Sequence, residues 1–175
     1  MLGMVLGLLV VGQRAHDGTS VPPPGPAATA AAPGLAAAFP DVAALGGVCA
    51  PYDTGPLAYT TSTGARAVAV IRCDHGAAVP GGWVYYTQWP SAADARHWQA
   101  DRVRWGPSVD GRTQWDVGGE EQGAWHTQAE ADGTVYATAA YADRPYGDEV
   151  VTRSPQDTAR VFVAMRLLPA DAIAG

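Results

Sequence analysis

The chain has 175 residues, which is enough for one domain and too few for two of ordinary size. Hydrophobic residues make up 47% of the sequence, which fits a globular domain with a core, whereas charged residues make up only 16%, against roughly 25% in an average domain. With 11 basic and 17 acidic residues the formal net charge is -6. This balance argues against a nucleic-acid partner, which requires a basic face, and against electrostatic attraction to an anionic lipid surface.

The first twelve residues are apolar and uncharged. A membrane-spanning helix needs about 20 apolar residues, and a signal peptide begins with positive charges that are missing here. Two interpretations follow for residues 1–12: part of a transmembrane or signal-anchor helix, or a short buried apolar segment. We expect the anchor, because the next residues have the composition of a spacer.

Residues 13–38 are predicted to be a disordered linker rich in proline and alanine. Consecutive prolines at positions 22–24 favour an extended polyproline II chain, and the segment has few large apolar side chains to offset its ordering entropy. An apolar end, a stiff spacer and a compact domain at 39–175 predict a single-pass, membrane-tethered protein. The membrane is then its partner through the N-terminal segment, and the domain lies outside the cytoplasm. An ordinary disordered tail is the alternative.

The two cysteines, Cys49 and Cys73, lie beside predicted strands. Outside the cytoplasm such a pair normally forms a disulfide. The bridge would close a loop of about 25 residues and stabilise the fold by roughly 3 kcal/mol. Two buried free thiols are the alternative. Neither CxxC nor HxxxH spacing occurs, so we predict no metal site and no cofactor.

Self-comparison predicts that the domain contains two similar halves, at about 48–105 and 112–168. Each half has segments rich in β-branched and aromatic residues, followed by a helix. The predicted strands are 57–61, 66–73 and 82–88 in the first half, and 123–129, 133–141 and 148–152 in the second.

Capping residues predict where the two helices begin. Ser91 has Asp94 at the capping-box distance, and Ser154 is followed by Pro155 and, in the first turn, Asp157. The predicted fold is therefore α+β, with an antiparallel sheet of about six strands and both helices on one face.

Catalytic motifs are missing from the sequence, which has no GxSxG, P-loop, GxGxxG or HExxH pattern. Glu120 and Glu121 lie in a glycine-rich segment that we interpret as a solvated loop. We therefore predict no catalytic residue and no enzymatic activity. The alternative is a small secreted enzyme in which His97 or His126 meets an acidic residue only on folding.

Aromatic residues provide the one candidate binding site. Trp83 and Trp89 align with the polar Asp148 and Ser154 of the second half, which predicts that both tryptophans are partly exposed. With Tyr85, on the same strand parity as Trp83, they form a predicted ligand or partner patch. The alternative is that the two halves have diverged and bury different residues.

The chain resembles small extracytoplasmic domains of actinobacteria, found beyond the single membrane span of some Ser/Thr protein kinases and in related membrane-anchored proteins. The resemblance covers about residues 48–168. It rests on a cysteine-ended strand, an aromatic strand and a proline-started helix: 67–73, Tyr85-Tyr86 and Trp89-Pro90-Ser91. Members of the family often have further cysteines in the second half, whereas none follows Cys73 here.

The resemblance implies a sensor or binding role and supplies no catalytic residues. We therefore expect a membrane-tethered extracytoplasmic binding or sensor module of unknown ligand, with a small-molecule or protein partner and no enzymatic activity. A purely structural cell-surface spacer is a further alternative.

Overall fold

A computed structural model of the protein describes residues 32–45, 48–52, 59–104 and 106–173. The predicted anchor at 1–12, and the linker up to residue 31, lie outside these ranges. Within the described ranges, no helix has the length and hydropathy needed to cross a bilayer.

One antiparallel sheet of seven strands forms the centre of the fold, in the order β1-β2-β3-β7-β6-β5-β4. The α+β class and the single antiparallel sheet are confirmed, with seven strands where about six were expected. The elements in chain order are α1 (Pro33–Ala38), α2 (Pro40–Ala44), β1 (Cys49–Pro51), β2 (Ala69–Asp74), β3 (Trp83–Gln88), α3 (Ala92–Val103), β4 (Gln114–Val117), β5 (Glu120–Ala129), β6 (Val135–Tyr141), β7 (Tyr146–Thr152), α4 (Pro155–Ala164) and a 3-10 turn (Ala170–Ala172).

The observed strand count differs from the predicted one because short edge strands leave no recognisable pattern in the sequence. Strands β1 and β4 have three and four residues, too few to show an alternating pattern. Glu120 and Glu121, interpreted as loop residues, begin β5. The strand predicted at 57–61 is represented in the described residues by a single bridge from Thr60 to Arg66.

Both predicted helix starts are confirmed by their caps. The Ser91 hydroxyl accepts a hydrogen bond from the backbone N–H of Asp94 at 3.1 Å. The Ser154 hydroxyl accepts one from the N–H of Asp157, also at 3.1 Å. Each cap satisfies an amide that has no partner inside the helix.

Helices α3 and α4 pack on opposite faces of the sheet, so the prediction of both on one face is wrong. Trp98 of α3 packs with Ala140 in one buried cluster, whereas Val161 of α4 packs with Ala139 in the other. Neighbouring residues of a strand point to opposite faces, and Ala139 and Ala140 are both fully buried. Both faces of strand β6 are therefore buried, one under α3 and the other under α4.

The sheet order sets the three strands of the first half, β1-β2-β3, beside the four strands of the second half, β7-β6-β5-β4. The two halves differ in strand number and in the face of the sheet that each helix covers. Gly147 of β7 helps α3 to approach the sheet. A Cβ there would lie 2.6 Å from the Ala139 carbonyl oxygen and 3.0 Å from the Trp98 ring.

The domain includes part of the predicted linker, which is a second correction. Leu35 and Ala38 of α1 are fully buried, as are Phe39 and Val42 directly after it. A few large apolar side chains are enough to dock this short segment on the α4 face. The proline- and alanine-rich average over the 26 positions 13–38 concealed Leu35, whereas Phe39 and Val42 lie just beyond that range, in the predicted domain.

The predicted disulfide is confirmed. Cys49 and Cys73 are register partners in β1 and β2, their Cα atoms are 4.0 Å apart, and their sulfurs are bonded. Both residues are buried. The bridge fixes the short edge strand β1 to the sheet.

Candidate functional site

A cleft of about 290 Å³ opens on the face of the sheet that α3 covers. We call it the tyrosine cleft. Its polar and aromatic lining consists of Tyr52, Tyr59, Tyr85, Tyr136, Arg102 and Glu149. The sheet register sets the floor, because Tyr85 of β3 lies directly opposite Glu149 of β7. Cross-strand partners have neighbouring side chains on one face.

Glu149 is the hub of the cleft and is only 6% exposed. Its Oε1 atom lies 3.0 Å from an Arg102 guanidinium nitrogen and accepts a hydrogen bond from the Thr138 hydroxyl at 3.3 Å. Its Oε2 atom accepts one from the Tyr59 hydroxyl at 3.0 Å. A buried carboxylate needs such compensation, and here three groups on different elements hold it in one orientation.

Three tyrosine rings brace one another along the cleft. The Tyr52 and Tyr85 ring centroids are 4.9 Å apart at an interplanar angle of 70°. The Tyr59 ring lies 6.1 Å from Tyr85 and 6.5 Å from Tyr52. These separations are favourable for aromatic pairs, so the rings form a rigid surface.

Three phenols of the cleft, those of Tyr59, Tyr85 and Tyr136, stay protonated at neutral pH. Burial raises the pKa of Tyr59, and the nearby Glu149 carboxylate raises it further. Burial also raises the pKa of Tyr85 and of Tyr136. Each hydroxyl therefore remains able both to donate and to accept a hydrogen bond.

Tyr85 is the one residue of the predicted patch that lines the cleft. Trp83 is half-buried on the same face, and the Arg72 guanidinium lies 4.4 Å from its ring centroid. The same guanidinium lies 5.5 Å from the Tyr52 ring, which places Trp83 beside the cleft.

Trp89 is a core residue, so its predicted exposure is wrong. It is 1% exposed and packs on Trp98 of α3 at a ring-centroid distance of 5.3 Å. Its indole N–H donates to the Thr87 hydroxyl at 3.0 Å. Alignment of Trp89 with Ser154 predicted exposure wrongly, because the helices of the two halves pack on opposite faces of the sheet.

No sequence pattern indicated a binding role for the other polar and aromatic residues of the cleft, Tyr52, Tyr59, Arg102, Tyr136 and Glu149. One signal was available for Glu149: it stands with Asp148 in a strand that is otherwise largely apolar. Charged residues are rarely buried without a partner, so two consecutive acids in a central strand indicate that a buried carboxylate has a partner there. Nothing in the sequence indicates that Tyr59 and Arg102 meet it.

A second cavity, of about 460 Å³, lies on the other face near α2 and the loop after β2. Its polar lining includes Asp41, His75 and Arg166. Asp41 is 2% exposed and accepts hydrogen bonds from the Tyr86 hydroxyl at 3.0 Å and from the Arg166 backbone N–H at 2.9 Å. His75 Nε2 lies 3.5 Å from the Tyr86 oxygen, and burial lowers the pKa of this histidine.

The two histidines considered for an enzyme do not line either of these cavities. His97 is exposed on α3. His126 is 3% exposed in β5, and its Nε2 atom has no hydrogen-bond partner among the described residues. Burial lowers the pKa of His126, which favours the neutral ring.

Metal-ligating residues are not clustered in the ranges that the structure describes, where no group of three or more His, Cys, Asp or Glu residues is suitably arranged. Comparison of the chain with protein-family models, with curated proteins and with solved structures finds no match.

Proposed function

We propose that the protein is a membrane-tethered extracytoplasmic module that binds a small ligand in the tyrosine cleft and has no catalytic activity. The observation that supports this most directly is the buried Glu149, held by Arg102 and Tyr59 at the floor of an open aromatic cleft. Ligand sites combine an apolar or aromatic lining with a few fixed polar groups, as this cleft does.

The ion pair is better suited to recognition than to stability. Desolvating two charges costs free energy that their attraction often only offsets, so a buried pair is weak evidence for a stabilising role. In an open cleft the same pair presents a planar carboxylate and a planar guanidinium in fixed positions. Three groups already lie on the carboxylate oxygens, so about one acceptor position of the carboxylate remains for a ligand.

The disulfide supports a location outside the cytoplasm, because such bonds persist in oxidising compartments. The composition of residues 1–31 supports the tether. Fractionation of cells producing the full chain is expected to place it in the membrane, with the domain accessible to external protease. Recovery of the chain in the cytoplasm with reduced thiols would overturn this location.

Binding is tested by titrating the purified chain with a chemically diverse fragment set and following backbone amide NMR shifts. We expect a subset of fragments to shift amides of β3, β7 and the end of α3. Tyr85→Ala is expected to abolish these shifts. Val163→Ala, a change at a residue 86% exposed on α4, is the control and is expected to leave them intact. Fragments that perturb no amide around the cleft would contradict the proposal.

Acid–base catalysis in the second cavity is another candidate function. A histidine held neutral by burial lies beside the Tyr86 hydroxyl, which in turn donates to buried Asp41. This arrangement supports the secreted-enzyme alternative, although at a histidine other than the two considered from sequence. Hydrolysis of activated esters that is lost in His75→Gln would favour it, whereas equal rates in both proteins would exclude it.

A further inference from the structure

We infer that the tyrosine cleft binds a neutral sugar unit. The inference rests on the proposed binding function and specifies its ligand class. It follows from the charge, the aromatic surface and the size of the cleft.

Charge compensation at the floor disfavours a charged ligand. Glu149 and Arg102 neutralise each other at 3.0 Å. A ligand ammonium would lie close to both Arg102 and Arg72. A ligand carboxylate is attracted by Arg72, but at the floor of the cleft it would lie beside the Glu149 carboxylate. Either would add a like-charge repulsion and a desolvation cost inside a partly buried site. A hydroxyl group avoids both penalties, because it donates to a carboxylate and accepts from a guanidinium.

The aromatic lining offers what a sugar ring requires. A pyranose has an apolar C–H face and a rim of hydroxyls. Tyr52 and Tyr85 line the cleft with their aromatic rings. The Tyr59 hydroxyl donates a hydrogen bond to the Glu149 carboxylate at 3.0 Å. Because the rings are mutually packed, little conformational entropy is lost when a ligand binds.

Cleft volume limits the ligand to about one ring. The volume of about 290 Å³ lies just below the range of about 300–1,000 Å³ for small-molecule pockets. A free sugar and the end of a glycan present the same unit to the cleft.

The test compares probes that share one ring and differ in charge: methyl β-glucoside, the corresponding glucuronate and the corresponding glucosamine glycoside. Amide shifts in the full chain are followed as above, and cellotriose is added to distinguish a free sugar from a chain end. We expect the neutral glycoside to bind at millimolar affinity and both charged congeners at least tenfold more weakly. Tighter binding of cellotriose identifies a chain end as the source, and weaker binding identifies a free sugar.

Three variants separate the contributions. Tyr85→Ala removes ring and hydroxyl, Tyr85→Phe removes only the hydroxyl, and Val163→Ala is the surface control. We expect a loss of tenfold or more for alanine, a smaller loss for phenylalanine and none for the control. Binding of the glucuronate or the amine in preference to the neutral glycoside overturns the sugar assignment and leaves the binding function standing. If neither these probes nor the fragment set perturb the cleft, both proposals fail.

Discussion

Asp148 and Glu149 are consecutive residues of β7 that point to opposite faces of the sheet and lie in opposite electrostatic environments. Glu149 is held by Arg102, Tyr59 and Thr138, whereas both carboxylate oxygens of Asp148 are buried without a hydrogen-bond partner in the described part of the chain. Burial, reinforced by the neighbouring Glu149 charge, raises the pKa of Asp148 to about 8. One strand therefore presents a charged acid to the cleft and a neutral acid to the core.

The buried Asp148 is expected to make stability depend on pH. An unfolded aspartate has a pKa near 3.9, so between about pH 4 and pH 8 the unfolded chain has lost a proton that the folded protein retains. The contribution of Asp148 to the free energy of unfolding is then greatest below about pH 4 and falls as pH rises, by up to about 1.4 kcal/mol per unit, until the folded carboxyl also ionises.

Urea unfolding of the wild-type protein and of Asp148→Asn at several pH values measures this slope. The slope is expected to flatten in Asp148→Asn, whatever the effect of the substitution on absolute stability. Asp171→Asn, a change at an exposed aspartate, is expected to leave the slope unchanged. Equal slopes in wild type and Asp148→Asn would show that Asp148 does not remain protonated.

The Arg102–Glu149 ion pair is expected to show strong energetic coupling. Glu149→Gln and Arg102→Gln each leave one buried partner uncompensated, so each should destabilise the fold by about 3–5 kcal/mol. The double variant should lose clearly less than the sum, because the second change removes the group that the first left unpaired. A double-mutant cycle from unfolding curves gives the coupling. Additive losses would mean that the two residues do not act as a pair.

The Cys49–Cys73 bridge is expected to contribute roughly 3 kcal/mol to stability through the loop that it closes. Replacing both cysteines by alanine should lower the urea midpoint and speed hydrogen exchange in β1 more than in β6. Reducing agent should reproduce the loss in wild type and have no effect on the double variant. An unchanged midpoint after verified reduction would contradict this expectation.

The short helix α1 is expected to be part of the folding unit. Leu35 is fully buried, so Leu35→Ala should cost about 2–5 kcal/mol through lost transfer free energy and the cavity left behind. Val163→Ala, at an exposed position, should change stability by less than about 0.5 kcal/mol. Thermal unfolding compares the two variants. Equal unfolding midpoints for Leu35→Ala and Val163→Ala would indicate that residues 32–38 belong to the linker and not to the folded domain.

The parts that the sequence predicted well depend on local chemistry. Ser91 and Ser154 mark helix starts because a serine hydroxyl satisfies an amide three residues away. The central strands have a β-branched and aromatic composition long enough to recognise, unlike the edge strands β1 and β4. The disulfide could be inferred from the count of two cysteines and their expected compartment.

Of the residues that line the candidate site, Tyr85 is the one that was predicted from the sequence. Trp89 was misplaced, and Tyr59, Arg102 and Glu149 were not recognised, because their contacts join positions far apart in the chain. The Tyr59 hydroxyl reaches a carboxylate 90 residues away. No pattern within one segment contains that information.

The amino-acid sequence thus determined the class of fold, the helix starts and the cysteine pair, because capping, strand composition and cysteine number act over a few residues or need no geometry. The tertiary structure alone decided which face each helix covers, that α1 belongs to the domain, and that Glu149 and Asp148 have opposite environments. Those outcomes depend on which surfaces remain to be buried once the sheet has assembled, and that is a property of the whole chain.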